Sequence, residues 1–248
     1  MKQVTRTFSA LFIFCLLTFG SLLAQPQTLL TDLKFYLRMD GNLNDVSVNG
    51  FHATHNGSWT NDRNGNPNSA IQLTAANMQT ISLFNSPDLH PQLPMTVAFD
   101  ARFDQLGATV FANDFTASIY SGMWVGVDAG GHVHVNFGDG GTTIPNQRRS
   151  RTGTTAITTG TWHSYVCVIR TATDMDIYVD CVNDNGTYSG NGGTIFYDTN
   201  VGQMGVASIA GSTNGASYMS GAIDRVAFWS RDLTPGDWRN GVMAIWIN

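Results

Sequence analysis

Asn-Gly pairs punctuate this chain at residues 49–50, 56–57, 64–65, 185–186 and 214–215, and short stretches of alternating apolar and polar residues lie between them. Asn-Gly suits the positive-φ positions of tight hairpin turns. A stretch that alternates with period two buries one face and leaves the other to polar groups. A chain interrupted this often has little room for long helices. Many short strands at turn-spaced intervals read instead as an antiparallel sandwich or barrel. Composition agrees: all 18 acidic residues are aspartate, and Lys2 and Lys34 are the only lysines. Two strong helix formers are thus almost missing, while Gly, Asn, Thr and Ser, which favour turns and strands, abound.

The first strand spans residues 33–39, with Leu33, Phe35, Leu37 and Met39 on one face. A second clear alternation covers 95–103, with Met95, Val97, Phe99, Ala101 and Phe103 together. Further strands are predicted at 70–73, 79–83, 109–113, 118–128, 132–137, 162–171, 175–182, 203–207 and 218–230. One short C-terminal helix is expected. Thr234 caps it, Pro235 takes its first position, and Asp237 returns a bond to the cap. Trp238, Val242, Ile245 and Trp246 would pack it on the strands.

The chain opens with Lys2 and Arg6, continues with an apolar run over residues 10–23, and reaches the small residue Ala24. That is the pattern of a secretory signal peptide, residues 1–24, cleaved after Ala24. The mature chain, 25–248, is expected to be a single domain, secreted or held in the cell envelope or periplasm, with no membrane span after cleavage. Net charge is −5 and the arginines are scattered apart from Arg148, Arg149 and Arg151, which sit among Thr, Gly and Asn and read as a solvated loop. Nucleic acid is a poor partner for such a surface.

Cys167 and Cys181 flank an expected hairpin with its turn near Thr173-Asp174. If they face one another, Ile169 faces Val179 and a disulfide is within reach, which an oxidising compartment would favour. Two buried thiols are the alternative.

Two segments near opposite ends carry the rest. Asp40, Asn42, Asn44, Asp45, Ser47 and Asn49 crowd oxygens onto one turn. Asp224 shares parity with Val226 and Phe228 and so is expected on an apolar face, where a carboxylate needs an ion, an arginine or backbone donors. Calcium prefers such oxygen sets, and Asp40, Asn42, Asp45, Asn49 and Asp224 are the candidate ligands of one structural calcium. An ion pair of Asp224 with Arg38 or Arg102 is the alternative. The EF-hand spacing is not met, since Asp45 and Phe51 stand where that loop needs Gly and Glu.

The stretches Phe35-Tyr36-Leu37-Arg38-Met39-Asp40-Gly41-Asn42, Asp45-Val46-Ser47-Val48-Asn49-Gly50, Asn66-Pro67-Asn68-Ser69-Ala70-Ile71-Gln72-Leu73, Gly160-Thr161-Trp162-His163 and Gly221-Ala222-Ile223-Asp224-Arg225-Val226-Ala227-Phe228-Trp229 resemble, in this order, the laminin-G-like jelly-roll domains of the concanavalin-A-like lectin/glucanase superfamily. The resemblance implies an all-β, two-sheet antiparallel jelly-roll sandwich with adjacent first and last strands, bringing Asp40 and Asp224 within reach of one ion. Val48 departs from the glycine common there.

Glucanases on this fold use two glutamates beside an aspartate, and this chain has no glutamate. Aspartates such as Asp176, Asp180 and Asp198 are poor substitutes. Asp176 and Asp180 are expected on a solvated hairpin face, where a carboxyl titrates near 3.9, too low for a general acid at neutral pH. No catalytic residue is assigned. His132 and His134 share one strand face, and without a third ligand they read as an exposed polar face. The expected activity is binding, to glycan or a cell-surface protein. Aromatic faces for sugar stacking are offered by Trp59, Tyr120, Trp124, Tyr188, Tyr197 and Tyr218. Trp124, Trp162 and Trp229 are assigned to packing. Trp59, in an expected loop, and Tyr120 are the leading ligand contacts.

Overall fold

The computed structural model describes residues 27–114, 119–142, 147–184, 186–208 and 216–237. The signal peptide and the residues expected to pack the C-terminal helix, Trp238, Val242, Ile245 and Trp246, lie outside them. In chain order the strands are β1 (Leu33–Leu37), β2 (Thr54–His55), β3 (Ser58–Thr60), β4 (Ala70–Leu73), β5 (Ile81–Ser82), β6 (Met95–Phe103), β7 (Ala108–Ala112), β8 (Met123–Val127) and β9 (His132–Gly138). Then follow β10 (Arg148–Ala156), β11 (Trp162–Thr171), β12 (Asp174–Val179), β13 (Val182–Asn183), β14 (Thr187–Gly190), β15 (Gln203–Met204), β16 (Val206–Ser208), β17 (Ala216–Tyr218) and β18 (Gly221–Trp229). Short helices α1 (Gln27–Leu30) and α2 (Pro235–Asp237) lie at the two ends.

These strands form two large antiparallel sheets and a small two-stranded one, β16–β17. The first sheet runs β13-β12-β11-β6-β18-β4-β3, with β1 also paired to β18. The second runs β14-β10-β9-β8-β7-β15-β5-β2. Their inner faces share one core. It joins Phe35, Leu37 and Met39 with Val97, Phe99, Phe103, Tyr165, Ile177, Ile223 and Phe228 from the first sheet, and Phe111, Met123, Val125, Val135 and Phe137 from the second. Burying each such side chain contributes about 1.5–3 kcal/mol, so this alternating set is the main term holding the sheets together. The first and last strands are neighbours, as the jelly-roll reading requires.

A second, smaller apolar cluster covers the outer face of the first sheet. Leu29, Tyr36, Ala98, Val166, Val168, Tyr178, Ala227, Trp229 and Leu233 form it, and the Trp229 indole N–H donates to the Leu29 carbonyl at 2.8 Å. This explains why β6 is buried at nearly every position rather than at alternate ones. Leu33 packs with this cluster, not with Phe35 and Leu37, because a register shift between Leu33 and Phe35 turns it to the other face.

The cap of α2 forms as the sequence predicts: Thr234 N and Oγ1 donate to Asp237 Oδ2 at 2.7 and 2.8 Å. The cysteine hairpin does not. Its register sets Cys167 against Ile177, and Cys181 falls beyond the end of β12 in a turn with φ of 66°. Cys167 points into the main core while Cys181 packs on the outer cluster, and the two are not bridged. The tight turn after Thr171 moves the partner strand four residues out of the register a disulfide needs.

Candidate functional site

The five residues read as calcium ligands sit in separate arrangements. The Asp45 carboxylate is saturated: Oδ1 accepts from the Tyr36 and Ser47 N–H groups, both at 2.8 Å, and Oδ2 accepts from Ser47 Oγ at 2.7 Å and Phe51 N at 2.8 Å. It pins the loop onto β1. Asn42 and Asn49 spend their side chains on backbone groups of that loop and of β1, and Asp40 pairs at the surface with Arg38 at 3.0 Å. Asp224 lies elsewhere, facing Asp100 across the β18–β6 ladder. Among the described residues no group of three or more His, Cys or Asp side chains is placed to hold a metal ion.

Asp224 turns outward because of a bulge. Arg225 has φ of 47°, and the register slips between Asp224 and Ala227. That slip keeps Val226 and Phe228 in the core yet places Asp224 on the outer face, contrary to its sequence parity. At the same point the free edge of β18 changes partner, from β4 beside residues 221–223 to β1 beside 226–229. Two facing carboxylates in a dry site repel, and arginines answer them. Arg225 reaches Asp100 at 2.5 Å and Asp224 at 3.2 Å; Arg63 reaches Asp100 at 3.3 Å and also donates to Ser164 Oγ. Burial pushes the Asp224 carboxyl up to about 8 against the pull of Arg225, with Asp100 adding repulsion. This is a structural ion network, of the type anticipated for Asp224 but with a different arginine.

The arginine run is not a loop. Arg148, Arg149 and Arg151 lie in β10, and parity separates them. Arg149 and Arg151 flank the Tyr188 ring, at 4.9 and 5.4 Å from its centre, and Arg151 meets Asp176 at 3.3 Å, closing the edge between the sheets. Asp176 is therefore not solvated. Burial would raise its carboxyl, but Arg170, Asn183 and Arg151 outweigh that and hold it below the ordinary value. Asp180 accepts from the Ser164 N–H at 2.9 Å and contacts His163 at 2.6 Å. The Asp198 N–H donates to Asp114 at 2.5 Å.

The second sheet presents a different surface. In β8, Met123, Val125 and Val127 point to the core, so Trp124 and Gly126 face out; in β9, Val133, Val135 and Phe137 point in, so His132, His134 and Asn136 face out. Register then builds two rows across the outer face. One is Trp124, Asn136 and Ser150; the next is Gly126, His134 and Thr152. Arg148 stands opposite Gly138, one row beyond Trp124. The Tyr120 ring stacks on Trp124 with centroids 5.8 Å apart and planes 14° apart. Tyr120 is only 3% exposed, so it backs Trp124 rather than meeting solvent.

A hydrogen-bond relay orients this face. Ser150 Oγ donates to Asn136 Oδ1, and the Asn136 amide lies 2.7 Å from His134 Nδ1. With the amide oxygen occupied by Ser150, the amide N–H donates, which makes Nδ1 an acceptor and leaves the imidazole proton on Nε2. Burial, helped by the charge of Arg148, pushes His134 down to about 4, so it stays neutral at neutral pH. Gly126 makes room for this ring: a Cβ there would come within 2.9 Å of it. The face thus offers an aromatic plane, a fixed N–H donor, a hydroxyl and a cation, and none of these is a carboxylate.

Of the two ligand contacts expected from sequence, Tyr120 belongs to this patch as the support of Trp124. Trp59 does not. It lies in β3, packs against the main core, and meets His55 edge-on at 5.2 Å. The sequence reading assigned Trp124 to packing, although Met-Trp-Val-Gly-Val alternates with Trp and Gly on the non-core face.

A laminin G family model, described as concanavalin A-like lectin/glucanases superfamily, matches residues 64–237. The chain belongs to that superfamily. Comparison with curated proteins found no match. Among solved structures, domain 4 of AbnA, a GH43 extracellular arabinanase from Geobacillus stearothermophilus, in complex with arabinotriose, is similar with a TM-score of 0.55 and 18% identity over 83% of this chain and 96% of that one. The binding domain of Paraclostridial Mosquitocidal Protein 1 is similar with a TM-score of 0.63 and 12% identity over 87% of this chain and 53% of that one. A structure of botulinum neurotoxin type C, whose cell entry is described as dependent upon interaction with two ganglioside molecules, gives a TM-score of 0.61 and 10% identity over 89% of this chain and 53% of that one. The superfamily member thus spans about half the length of the two toxin chains. At these identities the likenesses speak to fold.

Proposed function

We propose that this protein is a secreted, non-catalytic, lectin-like module that binds glycan on the outer face of β8, β9 and β10. The observation that carries the reading is Trp124, partly exposed and stacked on Tyr120, one row from the oriented His134. A sugar ring has an apolar C–H face and a polar rim. The indole suits the first, and the His134 Nε2–H, Thr152 hydroxyl and Arg148 suit the second. Two structural neighbours described with arabinotriose and with gangliosides lend support from outside the chain. The non-catalytic half of the reading draws on the lack of glutamate and on the binding of Asp176 into an arginine network.

A glycan array followed by calorimetry on the strongest hit tests the proposal. Trp124→Ala is expected to weaken binding at least tenfold, a loss of about 1.4 kcal/mol or more, with the melting curve unchanged. Silence across diverse glycans, with capture of a protein partner instead, would overturn it.

A further inference from the structure

We propose that Phe196 forms a second stacking surface beside Trp124, so that the site takes an extended oligosaccharide rather than a single terminal sugar. This rests on the glycan-binding reading above. Phe196 is 42% exposed, whereas its neighbours Ile195 and Tyr197 both pack on the main core. The segment therefore behaves as an extended stretch laid across the sandwich, and alternation turns Phe196 outward. Its backbone is fixed at the end of the β8–β9 ladder, next to Trp124: the Gly122 N–H donates to the Phe196 carbonyl at 2.7 Å, and the Phe196 N–H donates to the Gly138 carbonyl at 2.9 Å. Gly122 and Gly138 make up the row next to Trp124 and Asn136. A row step of two residues is about 7 Å, so the anchor of Phe196 lies within one or two sugar lengths of the indole.

Glycines let the two aromatic residues pack close to the strands. A Cβ at Gly138 would come within 2.2 Å of the Tyr120 backbone, and one at Gly140, where φ is 95°, within 2.9 Å of the Phe196 ring. A side chain at Gly138 would push the Tyr120 backbone away, and one at Gly140 would displace the Phe196 ring. The same stretch carries polar atoms suited to hydroxyls. Among the described residues Arg148 Nε and Asp139 Oδ1 are both buried without a hydrogen-bond partner, and both lie at or beside the Gly138 row. Buried polar atoms of this kind are costly unless a bound water or ligand satisfies them.

Calorimetry with arabinose, arabinotriose and arabinohexaose, and with the matching xylan- and cellulose-derived series, tests the inference. In the series that binds, affinity should rise at least tenfold from the monosaccharide to the trisaccharide. Phe196→Ala should erase that gain while leaving monosaccharide affinity within twofold, and Trp124→Ala should lose both. If Phe196→Ala shifts the melting curve, Phe196→Leu, apolar but without an aromatic face, should give the same loss of the length effect. Trisaccharide affinity unchanged in a folded Phe196 variant overturns the second surface and leaves Trp124 standing. Binding of no series by the unmodified protein overturns both readings.

Discussion

His134 is the residue whose chemistry sets how the proposed site responds to pH. Its folded-state pKa, about 4, lies below the ordinary 6.5, so between those values the folded protein holds it neutral while the unfolded chain protonates it. The unfolded state then binds more protons, and the contribution of His134 is complete above pH 6.5 and lost as pH falls toward 4. After allowing for a partly exposed ring, the effect is about 1–2 kcal/mol. Thermal melts from pH 7 to pH 4 should show the gap between the unmodified protein and His134→Gln shrinking on the acid side. Glycan affinity should stay flat from pH 5 to 8, because the Nε2–H donor does not change; a midpoint near 6.5 in the binding curve would contradict the neutral, Asn136-oriented ring. The chemical type of such residues was legible in the sequence, but their placement was only partly so. The Met-Trp-Val-Gly-Val alternation carried the outward face of Trp124, yet its place mid-strand led to a packing assignment, whereas the Ser150–Asn136–His134 relay depends on β9–β10 register, and β10 is too polar to announce itself as a strand.

At the scale of elements, β18 shows why parity misplaced Asp224. One left-handed residue, Arg225, lets a single strand serve three partners, β6, β4 and β1, and costs it a register step. Nothing in Gly-Ala-Ile-Asp-Arg-Val marks that bulge, because arginine is not a residue that favours positive φ. The bulge also sets the guanidinium between two buried carboxylates. Removing one partner of a buried pair leaves the other charge uncompensated, so Arg225→Ala should destabilise the protein by about 3–5 kcal/mol. Denaturant unfolding measures this directly. Chelator should leave the same unfolding curve unchanged, since Asp45 is saturated by its loop and Asp224 is paired with Arg225. A chelator-sensitive curve that Asp224→Asn makes insensitive would restore the ion. The cysteine hairpin failed for a related reason: a two-residue turn and a five-residue turn predict different opposed pairs, and both suit the sequence Thr-Ala-Thr-Asp-Met-Asp-Ile.

Across the whole molecule the two sheets divide the work. The first sheet holds the first and last strands, is apolar on both faces, and confines its buried charges to a network of arginine and aspartate groups. The second is apolar inside and carries Trp124, His134 and Arg148 on its outer face, in register with the buried Asn136 and Ser150. The two-sheet architecture was readable because it depends on many alternating stretches, which tolerate single bulges. The binding face was harder to read because it is assembled from β8, β9, β10 and residue 196, which are distant in sequence. The proposed ligand surface is this face and not the region of Trp59. A crystal structure of the protein with the tightest-binding oligosaccharide from the array tests it most directly. A sugar ring stacked on Trp124, with a hydroxyl accepting from His134 Nε2, is the expected result. Density for the sugar beside Trp59, or on the outer face of the first sheet, would contradict it.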